Sequence, residues 1–445
     1  MSMTPAMEWW RPEAPEALTP RERAPTWRGA AAPGRLPFVA LMAFTCVLLL
    51  APQAVFPVLA PLRPALLAAG IAMAAHLLGR ISGGVAVARL SPEVLVALAL
   101  AVWAGLTLPL SLWPSGSLGY LIDPFSKALI LFWLLSRIVV TSGRLRWTAW
   151  CLVLMTTPLA VTGIWHLLSG VFVPEGNAPG FARIAGYAAP LTGNPNDLAL
   201  TLNLALPLGV GLLLAVRHPI LRAALLAILA LDVVAIIATF SRGGLVTLMT
   251  ILLAYVVRLS RRSTAVLLLP LLLLICVPLL PSGYLEHMKT ITDFRSDPTG
   301  SAQERWSDLW AAGRLVQSSP ITGVGLGMNA LAMNMERGET WRMVHNVYLQ
   351  YAVELGLPGL LLFLFLLVRC VRKAGAARRI AASTERNDDL FRLAEAVQIG
   401  LIAFAVAALF HPVAYHFYFY YLAGLALGLE AAVTAQMAQE GEAPV

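Results

Sequence analysis

Charge is scarce in this chain. Of 445 residues, 13% are Asp, Glu, Lys or Arg and 58% are hydrophobic. Soluble domains carry about a quarter charged residues, so a water-soluble fold is excluded. The mean hydropathy of +0.74 places the chain among polytopic membrane proteins. Cysteine is equally sparse. Cys46, Cys151, Cys276 and Cys370 lie far apart, each in or at the end of an apolar run, and no CxxC occurs. That leaves no signal for a disulfide framework or a zinc site, and the four read as small core residues. No solenoid-type repeat and no inverted pair of broken helices stands out. The glycines of Pro320–Gly327 do not fit GxGxxG and lack a strand before them, so a dinucleotide site is not indicated.

The charge that is present has a consistent sign and place. The net formal charge is +8. In a membrane protein such an excess marks cytoplasmic loops, not nucleic-acid binding. Apolar runs close to the ~20 residues needed to cross ~30 Å of hydrocarbon predict about twelve spans. They fall near 37–60, 62–79, 93–112, 120–140, 147–168, 196–216, 220–240, 243–258, 264–281, 345–368, 391–410 and 412–432. Alternate connections then carry Arg80 and Arg89, Arg144 and Arg146, Arg217 and Arg222, Arg258 with Arg261 and Arg262, and the cluster from Arg369 to Arg386. Placing these inside makes both termini cytoplasmic and puts 113–119, 169–195 and 282–344 outside, in the periplasm of an inner-membrane protein.

The expected organisation is therefore all-α: a Pro-rich cytoplasmic tail over 1–36 that cannot bury enough to order itself, helices 1–9 over 37–281, a periplasmic loop over 282–344, helices 10–12 over 345–433, and a short cytoplasmic tail over 434–445. Within the loop, Ser301-Ala302-Gln303-Glu304 has capping-box form. Trp306, Leu309, Trp310, Gly313 and Val316 follow at helical spacing. Such a face can rest on lipid with its tryptophans at headgroup depth. The aromatic run from Tyr415 to Tyr421 also reads as an interfacial belt.

Candidate chemistry gathers at the outer surface. His345 stands where the polar loop gives way to an apolar helix. The positive end of a helix disfavours imidazolium, which suits a general base; an imidazole that merely closes the helix is the plainer alternative. Arg242 follows Ser241, a natural N-cap, and precedes Gly243 and Gly244. A helix N-terminus with a guanidinium and small residues can cradle an oxyanion or phosphate; an ordinary interfacial arginine that snorkels is the plainer alternative. Arg183, Arg305, Arg314, Arg337 and Arg342 are all external, against the usual trend. Ion pairs with Glu304, Asp308 or Glu336 would account for some of them. Asp123 and Lys127 sit four apart and can pair on one helix face. Asp232 lies mid-span, either as a proton-relay carboxylate or as a hydrogen-bonded packing residue. His411 and His416 flank the start of the last span beside Pro412. No Asp-x-Asp motif faces outward, and Asp388-Asp389 falls in a basic cytoplasmic segment. A transferase that holds a divalent ion with paired carboxylates is thus disfavoured, and no cofactor is indicated.

Taken in order, these motifs resemble a known family. Gly193-Asn194-Pro195-Asn196-Asp197, Ser241-Arg242-Gly243-Gly244, Glu304-Arg305-Trp306, Pro320–Gly327, His345–Gln350 and Glu354–Gly359 look like the O-antigen ligase and O-antigen polymerase superfamily. The resemblance covers about 190 to 365 and implies a GT-C-like helical fold. It implies a metal-independent enzyme that moves a glycan from undecaprenyl diphosphate to a saccharide acceptor, such as lipid A-core for a ligase or a lipid-linked repeat for a polymerase. A branch that glycosylates proteins is less expected, because it typically carries an extra C-terminal region. The family's histidine falls on His345, its SRG-type arginine on Arg242, and its loop arginine on Arg305 with Arg314 as a further donor-binding candidate. Asn194, Asn196, Asn346, Tyr348 and Glu354 are supporting candidates. A flippase for a lipid-linked sugar is the competing class. It would need polar groups near mid-membrane, where only Asp232 and Lys127 qualify; an accessory structural role comes third.

Overall fold

The computed structural model describes residues 34–84, 90–172, 183–186, 193–259, 301–338, 341–383 and 388–441. The regular elements they form are helical. We label the helices α1 (Arg35–Leu50), α2 (Pro52–Val55), α3 (Pro64–Ser82), α4 (Pro92–Thr107), α5 (Pro114–Tyr120), α6 (Ser126–Ile138), α7 (Ser142–Leu168), α8 (Pro195–Ala215), α9 (Pro219–Ala238), α10 (Arg242–Leu259), α11 (Ser301–Ser318), α12 (Asn329–Arg337), α13 (Val347–Ala382), α14 (Asp388–Ala407) and α15 (Phe417–Gly441).

Among the described residues, nine helices are long and apolar enough to cross a membrane, which makes the chain a polytopic membrane protein. Three of the twelve expected spans stand apart from these nine. The first is the 16-residue α1, ended at Ala51 where Pro52 and Pro57 open short helical pieces. The eighth is α10. The run 264–281 and the tail 1–33 lie outside the described residues.

The core is organised around α8, which packs against α7, α9 and α14. Its sequence is apolar on every face, and every residue from Leu198 to Leu212 is buried. Its glycines permit close approach: a Cβ at Gly211 would press on Ala396 and the Arg392 carbonyl. Polar side chains tie α8 to α10: Asn203 Nδ2 donates to Ala199 O at 2.8 Å and Gly244 O at 3.0 Å, and Tyr255 Oη donates to Pro207 O at 2.9 Å. Asp232, the mid-span carboxylate, is 1% exposed and accepts a hydrogen bond from Thr156 Oγ1 at 3.0 Å.

The aromatic run differs from its reading as an interfacial belt. Tyr415, Phe419 and Tyr420 are fully buried, packed with Phe125, Phe132, Tyr351 and Phe363. Partners are found inside: Tyr351 Oη donates to Ala414 O at 2.7 Å and meets Tyr420 Oη at 3.0 Å, and Tyr421 Oη meets Thr45 Oγ1 at 3.0 Å. A tyrosine can enter a core when its hydroxyl is satisfied there.

Helix α13 outruns its expected end near 368 and is broken early, at Gly356 (φ 68°, ψ −175°). The break frees backbone groups that a continuous helix would pair. The loop Pro320–Gly327 supplies the partners. Val324 N donates to Val353 O at 2.8 Å, Gly325 N to Glu354 O at 3.0 Å, and Leu357 N to Pro320 O at 2.7 Å. Trp103 Nε1 closes the set by donating to Leu355 O at 2.8 Å. Pro358 follows where its missing N–H costs nothing. Gly323, Gly325 and Gly327 all have positive φ, and side chains there would strike α13, Ser111 and Tyr120 respectively. The glycine-rich motif is a docking surface for a broken helix.

Candidate active site

Several chain ends meet at one end of the bundle: the N-termini of α8, α10 and α13, the C-terminus of α14, and the isolated segment at Arg183. Each helix start is capped by its own sequence. Asn194 Oδ1 accepts Asp197 N at 2.9 Å, Ser241 Oγ accepts Gly244 N at 3.1 Å, and Asn346 Oδ1 accepts Leu349 N at 3.0 Å. His345 is therefore the residue just before an N-cap. The turn into α10 is tight, with Phe240 at φ 53°. A bulky residue in that region is strained, and such strain gathers at functional sites.

Between these ends lies a cavity of about 330 Å³, lined by Arg183, Asn196, Asp197, His345 and His411 among others. Asn196 is its junction. Its Oδ1 accepts from Arg183 Nη2 at 2.8 Å and from Ser241 Oγ at 2.8 Å, and its carbonyl faces His411 Nε2 at 3.3 Å. Arg183 is 6% exposed and also donates from Nε to Thr239 O at 2.9 Å. Gly243 has no room for a side chain because Phe410 and His411 pack on it. The Ser-Arg-Gly-Gly start of α10 is thus pressed against the α14–α15 turn, with Arg242 at its first helical position.

His345 is half-buried, and its Nδ1 is buried with no hydrogen-bond partner. Burial, and then the Arg305 guanidinium, push its pKa down from 6.5 to about 4. His411 is lowered by burial too, opposed by the carbonyls of Ala407 and Asn196. At neutral pH His345 is an uncharged imidazole in a wall of cations, the state a general base requires.

The loop arginines divide. Arg337 pairs with Asp308, Arg342 with both oxygens of Glu304, and Arg314 Nε with Glu336 Oε1 at 2.6 Å. These pairs lace α11 to α12 and to the strand of chain before His345. Arg305 acts electrostatically on both His345 and His411. Arg314 is exposed, and neither it nor Arg242 nor Arg305 is among the residues lining the cavity. Of the supporting candidates, Asn194 and Asn196 line it. Asn346 caps α13, and Tyr348 Oη donates to Ala405 O at 2.6 Å. Glu354 is fully buried beneath the glycine-rich loop, accepting Gly327 N at 2.8 Å and Asn329 N at 3.3 Å. Three charged or titratable cavity residues were not singled out as site residues from sequence: Arg183, Asp197 and His411. Nothing in the sequence ties Arg183 or His411 to Asn196.

The geometry defines a membrane-embedded protein whose cavity, at one end of the bundle, is lined by two imidazoles and Arg183, with Arg305 acting on both rings. Comparison with known families agrees with the motif order: residues 224–364 match the family model for O-antigen ligase. This supports membership of the O-antigen ligase and polymerase superfamily, and with it glycosyl transfer of the ligase or polymerase type, acting in general on a lipid-linked glycan and an acceptor. No curated protein matches the chain.

Proposed function

We propose that the protein is an O-antigen ligase-like glycosyltransferase of the bacterial inner membrane. It moves a glycan from undecaprenyl diphosphate to a saccharide acceptor, such as lipid A-core, at the periplasmic face. With a lipid-linked repeat as acceptor, the same site would serve a polymerase. The observation that carries the reading is the placing of His345 and Asn196 on one cavity, with Asn196 Oδ1 accepting from Ser241 at the capped start of the Arg242 helix, within or beside the segment that matches the family.

In this mechanism His345 accepts the proton of the acceptor hydroxyl, whose oxygen attacks the anomeric carbon of the donor's first sugar with inversion. The bond from that carbon to the diphosphate oxygen breaks, and undecaprenyl diphosphate leaves with the electron pair. Arg242 and Arg305, with Arg314 as an outer cation, offset the charge that develops on it. Preorganised donors of this kind are worth about 3–4 kcal/mol in a transition state. No step requires a divalent metal. A flippase would need mid-span polar groups free to serve substrate, and Asp232 is instead bonded to Thr156.

The test is single-turnover transfer and donor affinity in two variants. His345→Ala should bind donor normally and lose about 10²–10⁴-fold in rate, as for a lost general base. Arg242→Ala should weaken donor binding as well, with Arg242→Lys restoring part of it, because an ammonium cannot reproduce the bidentate fork. Wild-type transfer by His345→Ala would remove the imidazole from the chemistry. His287, outside the described residues, would then be the next candidate.

A further inference from the structure

The cavity holds a second imidazole in an unusual setting. His411 is 2% exposed, and both its ring nitrogens face backbone carbonyl oxygens. Nδ1 lies 2.9 Å from Ala407 O and Nε2 lies 3.3 Å from Asn196 O. A neutral imidazole has one N–H, so it can satisfy one of these carbonyls while its lone pair points at the other. Only imidazolium donates to both. His345 has the weaker setting: its Nδ1 is buried without a well-formed hydrogen bond, and the Met343 carbonyl is the one backbone group that favours its protonation.

The charged and titratable groups around His411 come from every neighbouring element. They are Arg305 of α11, Arg342 and His345 from the segment before α13, Arg183, Asp197 of α8, Arg242 at the start of α10, and His416 on its own turn. Two carboxylates offset the cations: Asp197, which lines the cavity, and Glu304, which is paired with Arg342. The fixed charges still oppose a further proton, and a diphosphate, with two or more negative charges, reverses that balance. When two nearby imidazoles compete for one proton, the ring with acceptors already in place takes it.

We propose that His411 takes up a proton from solvent when a diphosphate enters this cavity, in place of His345. One N–H bond forms at His411 and nothing else is exchanged; the proton returns to solvent when the diphosphate departs. The imidazolium then donates to Asn196 and Ala407 and adds a positive charge against the leaving diphosphate. His345 stays neutral and able to accept the acceptor's proton. The inference rests on the reading of this cavity as the site of a lipid-diphosphate glycosyltransferase.

The experiment is titration calorimetry of the full-length protein in nanodiscs with farnesyl diphosphate, at pH 7.5, in buffers of differing ionisation enthalpy. The slope of heat against ionisation enthalpy gives protons taken up. Wild type and His345→Asn should take up about one proton more than His411→Asn, since one imidazole changes state. Equal uptake in wild type and His411→Asn, or an uptake lost only in His345→Asn, overturns the assignment while leaving diphosphate binding intact. Failure of wild type to bind farnesyl diphosphate would instead overturn the reading of the cavity itself, and this inference with it. A second measurement needs no His411 variant. In ¹⁵N-histidine spectra of His345→Asn, one ring should gain a second protonated nitrogen on adding farnesyl diphosphate. A ring set unchanged by the ligand refutes the proposal.

Discussion

Gly356→Ala tests whether the glycine-rich loop and the broken helix are one device. Gly356 sits at φ 68° and ψ −175°, a region essentially closed to residues with a Cβ, where occupancy costs about 1–3 kcal/mol. The added methyl would also fall on the Ile321 carbonyl and stand 2.8 Å from the Pro320 oxygen. Both are backbone atoms that no rotamer change can clear. If the loop lifts to make room, the bonds from Val324 N to Val353 O, Gly325 N to Glu354 O and Leu357 N to Pro320 O are strained or lost. At about 1 kcal/mol each, they bring the expected loss to about 4–6 kcal/mol. The same lift disturbs Asn329, which holds the residue before His345, so transfer should fall together with stability. The assay is unfolding by a denaturing detergent in mixed micelles, paired with glycan transfer on the fraction that remains folded. Unchanged unfolding and wild-type transfer in Gly356→Ala would refute the coupling. Gly338→Ala is the control, because it too has positive φ but open space around its Cβ; it should cost only the backbone strain.

Three further outcomes are expected. Because burial and Arg305 depress His345 to about 4, its neutral form persists well below pH 6.5. The acid limb of kcat/KM, which reports the free enzyme, should fall near pH 4, with the limb of kcat at higher pH once donor diphosphate is bound; a kcat/KM limb at or above 6.5 would contradict the electrostatics. Transfer by purified protein should survive excess EDTA, and complete loss restored by Mg²⁺ or Mn²⁺ would overturn the metal-free mechanism. An impermeant thiol reagent should label a cysteine placed at Ser301 in intact cells and spare one at Ser383; the reverse pattern would invert the topology.

One part of the site's geometry was legible because capping is local: Ser241 reads as an N-cap from sequence. Ser241, Asn194 and Asn346 each stand where polar chain meets an apolar run, and each accepts the amide three residues on. The apolar spans were legible for the same reason, since hydropathy needs no tertiary knowledge. Other features required it. The Tyr415–Tyr421 run has the composition of a membrane-interface belt, and only the neighbouring Phe125 and Phe363 decide that it is core. Helix α13 continues past its apolar stretch because Arg369 reaches Glu93 and Lys373 reaches Glu430, satisfying charges on a helix that has left the hydrocarbon. The pairing of Arg183 and His411 through Asn196 joins residues more than two hundred positions apart, a distance no spacing rule spans.

The placement of Glu354 shows how separate motifs of this chain support one another. A carboxylate at zero exposure costs free energy unless its oxygens are satisfied. Here they accept from Gly327 N, from Asn329 through both its backbone and its side chain, and from Gln350 Nε2 at 3.4 Å. Asn329 in turn accepts Val344 N at 2.9 Å, the amide next to His345. Removing any one member strands a buried polar group in the others, so the cost of a change at Glu354 is felt at Asn329 and then at Val344. The glycine-rich loop must pass close to α13 for Gly327 N to reach Glu354, and the Gly356 break admits it. A loop motif, a helix kink and a buried acid that look unrelated along the chain thus form a single support beneath the imidazole. They explain how His345 can be held at the edge of a polar cavity by a segment that is itself neither helix nor strand.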